Sequence, residues 1–141
     1  MVLDLANGEM ILRLALAVGL GGLIGIEREL SHRPAGLRTH MLVSLGAALF
    51  GVLTATVFAG QNPAAFASGI ITGIGFIGAG SIIASRGQVH GLTTAASLWT
   101  AAAIGLTTAF GFYLLAIFAS ILVFIILRFR EVEEVLEKKK K

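Results

Sequence analysis

The chain has no cysteine among its 141 residues. That excludes disulfides, iron–sulfur clusters and thiolate zinc sites. Charge is also scarce. Only 13% of residues are charged, against about 25% in an ordinary globular chain. Strict alternation of apolar and polar residues, the mark of a transmembrane barrel, is missing too. So is a basic start: MVLDLANGEM is acidic. The first apolar run ends in charge rather than at a small-residue cleavage site, so no cleaved signal peptide is expected. What the chain does hold is apolar residues, 56% of the total, with a mean hydropathy of +0.89. A soluble domain of this length could not hide so much apolar surface. The expected fold class is all-α, an integral membrane bundle. A basic balance is one mark of nucleic-acid binding, but here four of the eleven basic residues are the terminal Lys138 to Lys141. No nucleic-acid partner is expected; the partner is the lipid bilayer.

Five transmembrane helices fit the pattern. The first is expected over 10–26 and the second over 39–60. Gln61, Asn62 and Pro63 punctuate the chain, and a third span follows over 64–85. Leu92 to Leu127 is an uncharged stretch of 36 residues. As one helix it would reach roughly 54 Å at ~1.5 Å per residue, far beyond a hydrocarbon core of ~30 Å. It must fold back, and Gly111, set among Phe110, Phe112 and Tyr113, is the expected turn. That gives spans over 92–110 and 112–127, the last extending to Phe129 with Arg128 snorkelling. Residues 1–9 form an extracytoplasmic segment, 10–129 the bundle and 130–141 a charged cytoplasmic tail that continues the last helix. Arg28, Arg33, Arg38, Arg86, Arg128, Arg130 and the four lysines fall on one side, and only Arg13 on the other. The positive-inside rule then places the N-terminus outside and the C-terminus in the cytoplasm. Arg13 sits one turn after Glu9, a spacing that allows an ion pair.

The hinge GIERELSHRPAGLRTH gathers Glu27, Arg28, Glu29, Arg33, Arg38 and His40 between two apolar runs. Ionisable groups at a membrane edge face partners or an aqueous cavity. Two readings stay open. Glu27 with Arg38 forms an ion pair that pins helix ends, or Arg28, Arg38, His40, Arg86 and His90 form a basic cytoplasmic mouth for an anion, a metabolite or a lipid headgroup. If a metal binds at all, Glu27 is the candidate ligand, opposed by the nearby arginines. Pro34-Ala35-Gly36 is a turn former.

Gly73-Ile-Gly75-Phe-Ile-Gly78 matches GxGxxG, but no βαβ context surrounds it and no acidic residue follows, so it is not a nucleotide site. Gly69 and Gly73 make a GxxxG contact for helix packing, or the span unwinds around Gly75 to Gly80 to build a site. Gly21 and Gly25 repeat the spacing in the first span, so these helices cross each other or a second subunit. A homodimer is expected. In the fourth span Thr93, Ser97, Thr100 and Thr107 share a face, and in the second Ser44, Ala48, Gly51 and Ala55 form a small-residue stripe. Trp99 lies mid-span, where its indole N–H needs a partner or a wet cavity. Ser81, His90 and Glu27 do not have the spacing of a triad. The chain is expected not to be an enzyme, and no cofactor is implied.

Four ordered runs, GGLIGIERE, RPAGLRTHMLVSLGAALF, GIGFIGAGSII and GLTTAASLWTAAAIGL, resemble the signature runs of the MgtC/SapB membrane-protein family, over about Leu14 to Phe112. The resemblance implies a bacterial inner-membrane bundle of about five helices. Members are linked to growth under magnesium limitation, acid tolerance and survival inside host cells. Some regulate other membrane machines, including the proton-driven ATP synthase. Longer members add a cytoplasmic ACT-like domain, and this chain is expected to be a short form without it. The expected function is non-enzymatic, exerted on membrane partners or lipids in magnesium-limitation and stress physiology. The alternative is a small transporter or channel for magnesium or another ion, with a path between the third and fourth helices.

Overall fold

A computed structural model describes residues 2–57, 62–85 and 88–138, with side chains for 7–57, 62, 64–84 and 88–129. Five helices and one short hairpin follow in order: α1 (Val2–Leu30), α2 (Leu37–Thr56), α3 (Pro63–Gly80), β1 (Ile83–Ser85), β2 (Gln88–His90), α4 (Leu92–Ala109) and α5 (Tyr113–Lys138). The structure is 83% helical with almost no sheet. Two helices, Asn7–Leu30 and Leu37–Thr56, are long and apolar enough to cross a membrane, and Ala64–Gly80 and Tyr113–Phe129 are shorter apolar helices.

The element ends have local causes. Asn62 caps α3 by accepting the Ala64 N–H at 3.0 Å, and Pro63 opens the helix where its missing N–H costs nothing. The long apolar stretch breaks at Gly111, whose φ is +82°. The Phe112 N–H donates to Thr107 O (3.2 Å) and the Gly111 N–H to Thr108 O (3.0 Å). This pair of bonds is the Schellman motif, which needs a left-handed residue where Gly111 stands.

Helix α5 continues through the charged tail to Lys138. Other boundaries differ from expectation. Helix α1 starts at Val2, before the expected span. The third span ends at Gly80 rather than running to Ser85, where β1 and β2 pair antiparallel with Ile83 opposite His90. Ser81 Oγ turns back to Gly78 O at 2.7 Å, and Gly91 at φ +90° closes the hairpin base so tightly that a Cβ there would lie 2.0 Å from Ser81 O. Helix α3 is continuous through Gly75 to Gly80, not unwound.

Helices α1, α2 and α4 form the close-packed centre. Ala17, Ala48, Val52 and Ala109 bury one cluster among them; Leu20, Ile24, Ala101, Ile104, Ala116 and Leu127 bury a second with α5. Glycine and serine set the approach. A Cβ on Gly21 would lie 2.6 Å from Ser44 Cβ, one on Gly51 2.6 Å from Ala109 Cβ, and one on Gly105 2.2 Å from Ser44 O. Small residues let helix backbones meet where there is no water to drive association. The Gly21/Gly25 pair therefore packs on α2, not on α3. Helix α3 lies at the edge, mainly against α4. Large apolar side chains cover the outside, Leu114 (85% exposed) and Phe76 (83%) among them. Apolar surface of this extent suits lipid.

Candidate functional site

The hinge between α1 and α2 is the polar centre of the molecule. Glu27 and Arg28, in the last turn of α1, are each 3% exposed, and His40, at the start of α2, is 0% exposed. Ser31 Oγ donates to Glu27 Oε1 at 2.7 Å, and Arg28 Nη1 lies 3.4 Å from Glu27 Oε2. The ion-pair partner of Glu27 is therefore Arg28, one residue on, and not Arg38. Glu29 does different work. Its Oε2 accepts the Leu37 N–H at 3.0 Å and so caps α2 across the hinge. Gly36 makes room, since a Cβ there would fall 1.7 Å from that oxygen. His32, with φ +52°, turns the chain between them, and its Nδ1 lies 3.0 Å from Leu30 O.

His40 joins the hinge to α4. Its Nδ1 lies 2.9 Å from Gly36 O. A carbonyl only accepts, so Nδ1 carries a proton. Its Nε2 meets Ser97 Oγ at 3.0 Å, and Ser97 Oγ also lies 2.9 Å from Thr94 O. In the neutral ring, the Ser97 hydroxyl has one proton and two acceptors within reach. The contacts of Glu27 and His40 offset part of the cost of burying charge and imidazole here.

The expected mouth residues divide. Glu27, Arg28 and His40 are buried. Arg38 and His90 are exposed, the latter on β2, and Arg86 lies outside the described residues. Both Glu27 oxygens already have partners, and among the described residues no group of three or more His, Asp or Glu side chains is placed to hold a metal. Of the polar stripe, Ser97 reaches another helix. Thr100 and Thr107 donate to Ala96 O and Ala103 O of their own helix (2.7 and 2.8 Å), and Thr93 is exposed. Trp99 is 46% exposed and lines an apolar cavity of about 310 Å³ between α3, α4 and α5. Among the expected packing glycines of α3, a Cβ on Gly78 would lie 3.4 Å from Ala95 O of α4. Cβ atoms at Gly69, Gly73, Gly75 and Gly80 would meet no described atom within 4 Å.

A second polar cluster lies at the opposite end. Arg13 and Glu9 form an ion pair. The same guanidinium donates to Ala109 O (2.6 Å) and to Tyr113 Oη (3.1 Å), and Tyr113 Oη donates to Glu9 Oε1 (3.2 Å). It ties α1 to the α4–α5 turn. The Glu9–Arg13 spacing announced half of this. The aromatic flank of Gly111 was the available signal for the rest.

Three of the four signature runs quoted above fall on α1, α2 and α4, which build the hinge and its contacts, and GIGFIGAGSII falls on α3 and the start of β1. The profile of the MgtC family matches residues 14–135. The chain belongs to the MgtC family. It is a membrane protein of that family, and individual relatives are close. A protein of Escherichia coli (strain K12) carrying the name "Putative magnesium transporter YhiD" is 42% identical over 129 residues, covering 86% of this chain and 60% of the relative. Protein MgtC of Brucella suis biovar 1 is 52% identical over 92 residues, 65% of this chain and 39% of the relative. Protein MgtC of Salmonella typhimurium (strain 14028s) is 44% identical over 113 residues, 80% of this chain and 48% of the relative. The matched part thus spans 39–60% of these relatives' length. No solved structure matches the chain.

Proposed function

We propose that this MgtC-family protein crosses a bacterial inner membrane five times, N-terminus outside and C-terminus in the cytoplasm. It acts without catalysis in magnesium-limitation and stress physiology, by contact with other membrane proteins or lipids. The observation that carries the reading is the closure of the α1–α2–α4 centre. Cβ positions at Gly21, Gly51 and Gly105 lie within 3 Å of a neighbouring helix, and the buried hinge charges face each other rather than a passage. The space between α3 and α4 supports the same reading. Ile70, Ile74, Trp99, Leu106 and Phe110 line it, and the hydroxyl of Thr107 turns to its own helix. Magnesium dehydrates reluctantly and is held through carboxylates and water, which such a lining does not offer. A homodimer belongs to the proposal. Gly21 and Gly25 pack within the chain, which leaves Gly75 and Gly80 on α3 as open glycines away from both cavities.

The second reading is a small cation transporter with its path between α3 and α4; the name of the E. coli relative favours it. The test is purified full chain in liposomes loaded with magnesium, potassium or proton indicators. No flux above empty liposomes is expected. Flux lost in Glu27→Gln or Arg38→Ala would overturn the proposal in favour of transport. In magnesium-limited cells, crosslinking from tagged chain should recover a membrane protein or lipid besides the chain itself. Recovery of the chain alone would also overturn it.

A further inference from the structure

Helices α2 and α3 have an apolar groove of about 760 Å³ between them. Leu42, Gly46 and Phe50 form one wall, and Gly69, Gly73 and Ile77 the other. From Leu42 to Thr54 the groove runs about 18 Å at ~1.5 Å per residue, close to half of a ~30 Å hydrocarbon core. Its glycines differ from those of the bundle centre. Gly21, Gly25, Gly51 and Gly105 each touch another helix, whereas Cβ atoms at Gly46, Gly69 and Gly73 would meet no described atom within 4 Å. Each glycine costs a helix about 1 kcal/mol relative to alanine. At these three positions no contact with a described residue offsets it; what the missing side chains create is the slot.

One end of the slot is cationic. Arg38 stands four residues before Leu42, on the same face of α2. It is exposed, and among the described residues it makes no ion pair or hydrogen bond. The Glu29 carboxylate caps the N-terminus of α2 at the Leu37 N–H, so the positive charge at this end of the slot is that of the Arg38 guanidinium. A slot one leaflet long, apolar along its length and cationic at its end, complements an anionic phospholipid in shape and charge. We infer that the α2–α3 groove binds an acyl chain of an anionic phospholipid, with the phosphate headgroup at Arg38. The inference rests on the proposed topology, in which α2 and α3 both cross the membrane, and stands apart from the question of flux.

The test uses the full chain in phosphatidylcholine nanodiscs containing a minor fraction of phosphatidylglycerol with a photoreactive acyl chain. Adducts mapped by mass spectrometry are expected on the groove walls, several-fold above those from phosphatidylcholine carrying the same label. Gly73→Leu, which fills the slot, should remove groove adducts while labelling of Phe118 and Leu122 on the outer face of α5 persists. Gly46→Leu fills it from the other wall and serves if the first variant does not fold. Arg38→Gln should abolish the preference for phosphatidylglycerol and leave acyl adducts in place. Equal labelling of groove and α5 face would overturn the inference, as would a lipid preference indifferent to Arg38→Gln. So would an unlabelled groove in a dimer that Gly73→Leu dissociates, since a second copy would then be the occupant.

Discussion

Gly105 and Gly73 are the same residue in opposite settings, and the difference is measurable. A Cβ at Gly105 would press on the Ser44 carbonyl at 2.2 Å, backbone that cannot swing aside, while one at Gly73 would meet no described atom within 4 Å. Gly105→Ala is expected to destabilise the protein by about 1–3 kcal/mol, the usual cost of overpacking. Gly73→Ala should be neutral, or stabilising by up to about 1 kcal/mol through helix propensity. Reversible unfolding in mixed micelles measures both, and the opposite order would refute the packing described. The hinge offers a second contrast. Ser97→Ala leaves His40 Nε2 buried without its partner and should cost about 1–3 kcal/mol. Thr100→Ala removes a hydroxyl bonded only to its own helix and should change stability by no more than about 0.5 kcal/mol. The sequence drew attention to both Ser97 and His40, one as a stripe hydroxyl and the other as a hinge residue. Nothing in it linked them, because the bond spans 57 positions and depends on which helix lies beside which.

At the scale of elements, the α4–α5 turn shows what an apolar sequence reveals and what it hides. The break at Gly111 was legible: a helix of the full length would overrun the bilayer, and the glycine stood where the stretch had to reverse. The Pro34–Gly36 turn was legible for the same kind of local reason. The helix faces were not. Helices apolar all round carry no periodic signal of which side faces a neighbour, so the partners of Gly21, Gly25 and Arg13 could not be read. The β1–β2 hairpin escaped too, because Ile82 and Ile83 continue the apolar run of α3 without a mark and each strand is three residues long. Arg13 supplies the element-level prediction. Its guanidinium holds Ala109 O, in the last turn of α4, and Tyr113 Oη, at the start of α5. Arg13→Ala is expected to raise amide hydrogen exchange at Phe110 to Tyr113 while the middle of α1 keeps its protection. Tyr113→Phe should do so less, since the bond to Ala109 O survives. Unchanged exchange at the turn in Arg13→Ala would mean the Schellman bonds alone hold it.

For the whole molecule, the burial of Glu27 and Arg28 sharpens the orientation argument. Their charges face each other inside the hinge, so the exposed charge on that side comes from residues such as Arg38 and Arg128. At the other end Arg13 is matched by Glu9 and by the α4 carbonyl, so the one basic side chain expected outside is tied into the bundle. The proposed five spans would leave the α2–α3 connection outside and the hairpin in the cytoplasm, and single cysteines can test this because the chain has none of its own. Residue 62 is the natural outer position by sequence, but Asn62 caps α3, and losing such a cap costs about 1 kcal/mol. Ala64→Cys, exposed at the second residue of the helix, keeps the cap; Gln88→Cys lies exposed on β2. In intact cells a membrane-impermeant maleimide should label Ala64→Cys and leave Gln88→Cys unlabelled until the membrane is opened. The reverse pattern would invert the molecule and move Arg38 to the outer leaflet. Labelling of both positions in intact cells would mean that α3 does not cross at all, and that the groove beside it opens at the membrane surface.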